Sequence, residues 1–167
     1  MKKLLILIFA MSLVLFSGGA AYGFSSPTVN EDQWEVMGAF MSTGGLMIGV
    51  EYGITPELAV VAELGSSNFT KIGVIYELQS NLALTGGISG PGVFAGVIGS
   101  MPVGNNLLGI GQLDLKAQSD QVAIMYEAGV RYGFKKQWDL RVALVGAFAE
   151  DTNVTGLGIG IGYRFKI

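Results

Sequence analysis

No cysteine and no histidine occur among the 167 residues, proline appears only 4 times, and charged side chains make up just 14%. Each absence removes a class of explanation. Without cysteine no disulfide can staple the fold, and without imidazole or thiolate the common zinc sites have no ligands. A serine such as Ser42, Ser66 or Ser89 has no histidine poised to take its proton near neutral pH, which argues against hydrolytic catalysis. Scarce proline and the lack of a Pro/Ser-rich tract exclude a disordered linker. Scarce charge and a mean hydropathy of +0.51 are too apolar for a typical soluble domain, while 26 glycines are too many for a helical one. No basic patch forms, so nucleic acid is not an expected partner.

What is present begins with an export signature. Lys2 and Lys3 precede an apolar run from Leu4 to Phe16, followed by small residues ending in Ala21-Tyr22-Gly23, a small-x-small cleavage pattern. Residues 1–23 therefore read as a signal peptide. A lipoprotein would need an acceptor cysteine, and a retained anchor ~20 apolar residues. Removing Lys2 and Lys3 from the 10 basic residues leaves 8 against 13 acidic ones, a net charge of −5. Residues 24–167 are enough for one domain.

After a polar lead-in from Phe24 to Asp32, the chain alternates apolar residues with small or charged ones as far as its end. The closing stretch is the plainest: Leu157, Ile159, Ile161, Tyr163, Phe165 and Ile167 alternate with Gly156, Gly158, Gly160, Gly162, Arg164 and Lys166. Period two means strands. Turn residues such as Thr55-Pro56-Glu57, Gln79-Ser80-Asn81, Gly90-Pro91-Gly92 and Lys135-Lys136-Gln137 cut the alternation into about ten segments of ~9–11 residues, the length of a membrane-crossing strand. Neighbours joined by such short turns pair antiparallel. In Val93 to Gly99 both parities are small or apolar, so it is a strand without an assigned face, and Met101 to Asn106 reads as a break before the next strand.

The face opposite the apolar one decides between a soluble barrel and an inverted, membrane-embedded one. It is small, and it carries Glu51, Glu63, Lys71, Glu77, Asp114, Lys116, Glu127, Arg131, Asp139 and Arg141. A solvent face has no reason to be small, whereas a narrow barrel interior is crowded and needs charges of both signs to neutralise one another. Trp34, Tyr52, Tyr76, Tyr132, Trp138 and Tyr163 fall near strand ends on one side, as an aromatic girdle at a membrane interface would. The expected fold is thus all-β, a closed antiparallel up-and-down transmembrane β-barrel of about ten strands. The alternative is a soluble periplasmic β-barrel that binds a hydrophobic ligand.

The closing residues Gly160 to Ile167 resemble the C-terminal signal of bacterial outer-membrane proteins, with Gly162, Phe165 and Ile167 matching. That signal usually ends on an aromatic residue and has a polar residue where Gly160 stands. With the signal peptide and the strand pattern, the chain resembles the small outer-membrane β-barrels of eight to ten strands. The resemblance implies a diderm bacterium, outer-membrane lipid as surroundings and the barrel-assembly machinery as partner during insertion. At about ten strands the interior is expected to be largely filled by side chains, giving a narrow or plugged polar lumen with a structural or interaction role, or passage of small solutes. Enzymes of this class rely on a histidine that this chain lacks, so no catalytic residue, cofactor or metal is expected. The run G-L-G-I-G-I-G lacks the following helix that a phosphate-binding loop requires, and Glu150-Asp151-Thr152-Asn153 reads as a solvated loop rather than a Ca²⁺ site.

Overall fold

Alternation becomes ten strands: β1 (Gln33–Met41), β2 (Gly45–Gly53), β3 (Leu58–Gly65), β4 (Thr70–Gln79), β5 (Leu82–Ser89), β6 (Gly92–Gly104), β7 (Leu107–Gln118), β8 (Gln121–Lys135), β9 (Trp138–Ala149) and β10 (Thr152–Lys166). This computed structural model describes residues 25, 27, 30–66, 70–119, 121–150 and 152–166. The expected signal peptide and Ile167 lie outside them. Each strand pairs antiparallel with the next, and β10 returns to β1 from Gln33↔Lys166 to Met41↔Gly158, closing the barrel. Closure leaves no sheet edge along the wall.

Short turns fix this order. β4 passes to β5 through Ser80-Asn81, and β6 to β7 through Asn105-Asn106, where Asn106 has a φ of 59°, a conformation that asparagine tolerates better than most residues. The chain between Met101 and Asn106 is therefore mostly strand, not the expected break. β6 stays paired with β7 as far as Gly104↔Leu107, and its apolar residues on both faces hid the period. β5 reaches only Leu82↔Gly99 on the other side of β6, so this hairpin projects beyond its neighbour. It lies at the proximal rim, where β1 begins and β10 ends.

The pleat divides the side chains by face. Outward are large apolar residues on every strand, including Leu64 and Val122, 62% and 63% exposed, while Arg141, Asp139 and Glu63 inside are 0% exposed. Val93 to Gly99 is resolved in the same way, with Phe94 and Ile98 inside and Val93 and Val97 outside. Two apolar clusters share the interior with the charges. One holds Met37, Met41, Met47, Phe94, Met125 and Val145; the other holds Ala59, Val61, Ile75, Ala83 and Ile98.

The described residues of the lead-in fold back against β2. Asp32, with a φ of 58°, donates its N–H to the carbonyl of Gly53 at 3.0 Å, and Gln33 N–H bonds the carbonyl of Asn30 at 3.1 Å. This fold-back carries the preceding chain inward. Ser25 and Pro27 are both buried, and Ser25 Oγ donates to Glu63 Oε1 at 3.4 Å. A Cβ on Gly53 would collide with the Asn30 carbonyl, so only glycine lets the lead-in pass this close.

Candidate functional site: the charged interior and its mouth

Alternation in β1 sends Glu35 inward on the same face as Met37, Ala39 and Met41. There it meets three guanidinium groups from the last three strands. Arg141 of β9 donates Nε to Asp139 Oδ1 at 2.6 Å and Nη2 to Glu35 Oε1. Arg131 of β8 donates Nε to Asp139 Oδ2 at 2.9 Å and Nη2 to Glu35 Oε2 at 2.9 Å. Arg164 of β10 lies 3.4 Å from Asp139 Oδ2 and 3.8 Å from Glu35 Oε2. Planar guanidinium groups suit such a lattice because each presents several fixed donors to the carboxylates. The register makes this possible: Arg131 faces Arg141 across β8 and β9, so that the two like charges require Glu35 and Asp139 between them.

Glycine in β10 supplies the room. Gly162 faces Asp139 across the β9–β10 ladder, and a Cβ there would lie 2.8 Å from both Arg141 Nη2 and Asp139 Oδ1. A larger residue at 162 would have to displace the pair.

A second polar group lies across the interior. Lys71 Nζ is 3.4 Å from Asp114 Oδ2 and 4.6 Å from the centre of the Phe94 ring, a cation–π distance. Gln112 Nε2 donates to Asp114 Oδ2 at 2.6 Å. Glu63 and Glu127 are buried beside this group, and Glu127 is within electrostatic reach of Glu63, Asp114 and Lys71. Glu63 Oε2, Glu127 Oε2 and Asp114 Oδ1 are buried with no hydrogen-bond partner among the described residues.

Of the ten charged residues named from sequence, Glu63, Lys71, Asp114, Glu127, Arg131, Asp139 and Arg141 are buried inside. Glu51, Glu77 and Lys116 are half-buried toward the ends of the inner face. Glu35, central to the arginine cluster, was missing from that set, although the parity rule applied to β1 assigns it inward. Ser25 was missed for another reason: a lead-in without period carries no signal of direction.

Aromatic side chains gather at the proximal rim. Trp34 and Tyr52 face each other across β1 and β2 with ring centres 4.6 Å apart. Trp138 and Tyr163 do so across β9 and β10 at 4.6 Å, and Tyr163 stacks on Phe165 at 5.7 Å. Tyr76 and Tyr132 are exposed and pair with Leu84 and Leu140. Tyr126 sits toward the opposite rim, reaching over Gly146 to bond Thr155 Oγ1 at 2.5 Å and stacking on Phe148 at 5.1 Å.

Inside the proximal rim is a mouth of about 630 Å³ whose lining includes Asn30, Glu51, Pro102, Leu108, Lys135 and Lys136. Its inner end reaches Glu35, Arg131 and Arg164, the arginine cluster.

A closed sheet satisfies its own ladder hydrogen bonds, as hydrocarbon demands, and its apolar side faces out while its ions face in. The chain is a transmembrane β-barrel.

No protein-family model and no curated protein matches the sequence. Among solved structures, the barrel is similar to the N-terminal β-barrel domain of Pseudomonas aeruginosa OprF, at 15% identity over 81% of this chain and 98% of that one, TM-score 0.45. It is also similar to the Yersinia pestis outer membrane protein Ail, at 13% identity over 81% and 100%, TM-score 0.46. A third is the KdgM porin, at 11% identity over 80% and 99%, TM-score 0.49.

Proposed function

We propose that the chain is exported, loses residues 1–23, and resides in the outer membrane of a diderm bacterium as a sealed barrel with a structural or interaction role. The observation that carries this reading is the cluster of Glu35, Arg131, Asp139, Arg141 and Arg164 at the inner end of the mouth. The interior also holds two apolar clusters, which supports a largely filled lumen at ten strands, well short of the 16-strand porins with an aqueous channel. The soluble, ligand-binding alternative would place the apolar face inside, and the observed partition speaks against it. The absence of the histidine on which enzymes of this class rely supports a non-catalytic role. The aromatic rim with Trp34, Tyr52, Tyr76, Tyr132, Trp138 and Tyr163 meets the periplasmic interface. Gly162 and Phe165 of the last strand, with Ile167 at the end of the sequence, present the insertion signal to the barrel-assembly machinery.

Planar bilayers test the seal. The wild-type barrel is expected to give no steady single-channel steps, and Glu35→Ala with Asp139→Ala, which strips the carboxylates from between the arginines, is expected to give them. Steady steps from the wild type would overturn the sealed reading in favour of small-solute passage.

A further inference from the structure

Arg164 is surplus to the cluster it borders. Arg141 and Arg131 each bond both Glu35 and Asp139, and between them they take all four carboxylate oxygens. Arg164 is left at 3.4 Å from one of these oxygens and 3.8 Å from another. Its Nε is buried and bonds nothing among the described residues, while 32% of its side chain is exposed and it lines the mouth. The third guanidinium is thus neither used up by the carboxylates nor shut away from the cavity. Three guanidinium groups on two carboxylates leave one positive charge over. Lys135 at the end of β8 and Lys136 in the turn after it are exposed, line the same mouth and add two more, and Glu51 on β2 removes one. Glu31 and Asp32 of the lead-in are exposed and outside this lining, and Lys166 Nζ lies on the Glu31 carbonyl at 3.0 Å. The mouth therefore holds two positive charges in excess.

We infer that this mouth binds a small water-soluble solute carrying a compact dianionic oxyanion, of the chemical class of a phosphate monoester. A phosphate brings strong acceptor oxygens and close to two negative charges near neutral pH, matching both the surplus and the planar donors of Arg164. Lys135 and Lys136 supply point charges at the rim. For the rest of the molecule, Gln33 and Asn106 offer neutral amides, and Pro102 and Leu108 of the projecting β6–β7 hairpin offer an apolar wall. A mouth of about 630 Å³ is within the range of small-molecule sites, roughly 300–1,000 Å³. It opens inside the wall, away from the acyl chains, so a lipid headgroup is not the ligand class. The inference goes beyond the sealed barrel and does not depend on it: a solute held at the mouth needs no path through the interior.

Titration calorimetry on the barrel purified in neutral detergent, in mildly alkaline buffer at fixed salt, tests this with glycerol phosphate, inorganic phosphate and glycerol. Glycerol phosphate is expected to bind one to one and to saturate by about 10 mM, and glycerol is expected not to bind over the same range. Inorganic phosphate should bind more weakly, the difference measuring what the organic body adds; equal binding would overturn the ester in favour of the free anion. Arg164→Gln is expected to weaken glycerol phosphate at least about tenfold, as loss of a charge-assisted contact does. Heat-modifiable migration on a gel checks that this variant is folded. If it is not, Lys135→Gln combined with Lys136→Gln, on exposed positions, takes its place with an expected loss of about threefold. No saturable binding of glycerol phosphate by the wild type, or wild-type affinity in the folded variant, would overturn the site. Neither result bears on conductance, so the site and the sealed reading fail separately.

Discussion

Gly162 leaves room for the arginine cluster of the interior. Its missing side chain is where Arg141 Nη2 and Asp139 Oδ1 would each lie 2.8 Å from a Cβ. Gly162→Val should therefore destabilise the barrel by about 1–3 kcal/mol through overpacking. Arg141→Met, which removes the charged hydrogen bonds to Glu35 and Asp139 while Arg131 and Arg164 stay beside them, should cost about 1.5–3 kcal/mol. Urea midpoints of the refolded barrels check both, and wild-type midpoints for the pair would remove the cluster from this account. At this scale the sequence was partly legible. Parity alone placed Arg131, Asp139 and Arg141 on one face, but not which carboxylate joins them, because that depends on β1 meeting β10 across the closure, between residues far apart in the chain. Tyr126 was legible only as an exception to the rim pattern. Its hydroxyl needs a partner away from water, and it finds Thr155 by crossing Gly146, a geometry that exists only once β8, β9 and β10 are side by side.

Elements were most legible where one face is apolar and the other small or charged, as in β8, β9 and β10. Legibility failed where both faces are apolar. In β6 the residues Met101, Pro102 and Val103 continue the strand without alternation, and pairing with β7 alone determines its length. The lead-in failed for a different reason, since its inward path is set by one close approach at Gly53. Gly53→Val should unseat it, so that the folded barrel becomes cleavable by added protease at Asn30 to Asp32, measured as a loss of N-terminal mass. Unchanged protection would show that Gly53 does not hold the lead-in. The last strand closes the sheet and, in the proposed reading, also presents the insertion signal. Deleting Tyr163 to Ile167 removes the pairings of Gln33, Trp34, Glu35 and Val36 with β10. It should leave the protein in the periplasm, whereas normal assembly of the truncation would contradict that role.

At the scale of the whole molecule, the partition of side chains is inverted relative to a soluble domain. The outward face presents Ile48, Leu64, Ile72, Leu115, Leu144 and Leu157 from strands all around the wall, while buried ions and methionines fill the middle. Water would penalise so large an apolar surface, and hydrocarbon does not. The aromatic rim, the neutralising arginine cluster and the closed ladder all follow from that choice of solvent. Fractionation tests the choice most directly. Membranes washed with alkaline carbonate and then urea should retain the protein in the outer-membrane pellet, and only detergent should release it. Recovery of the folded protein in the aqueous fraction without detergent would contradict the membrane barrel.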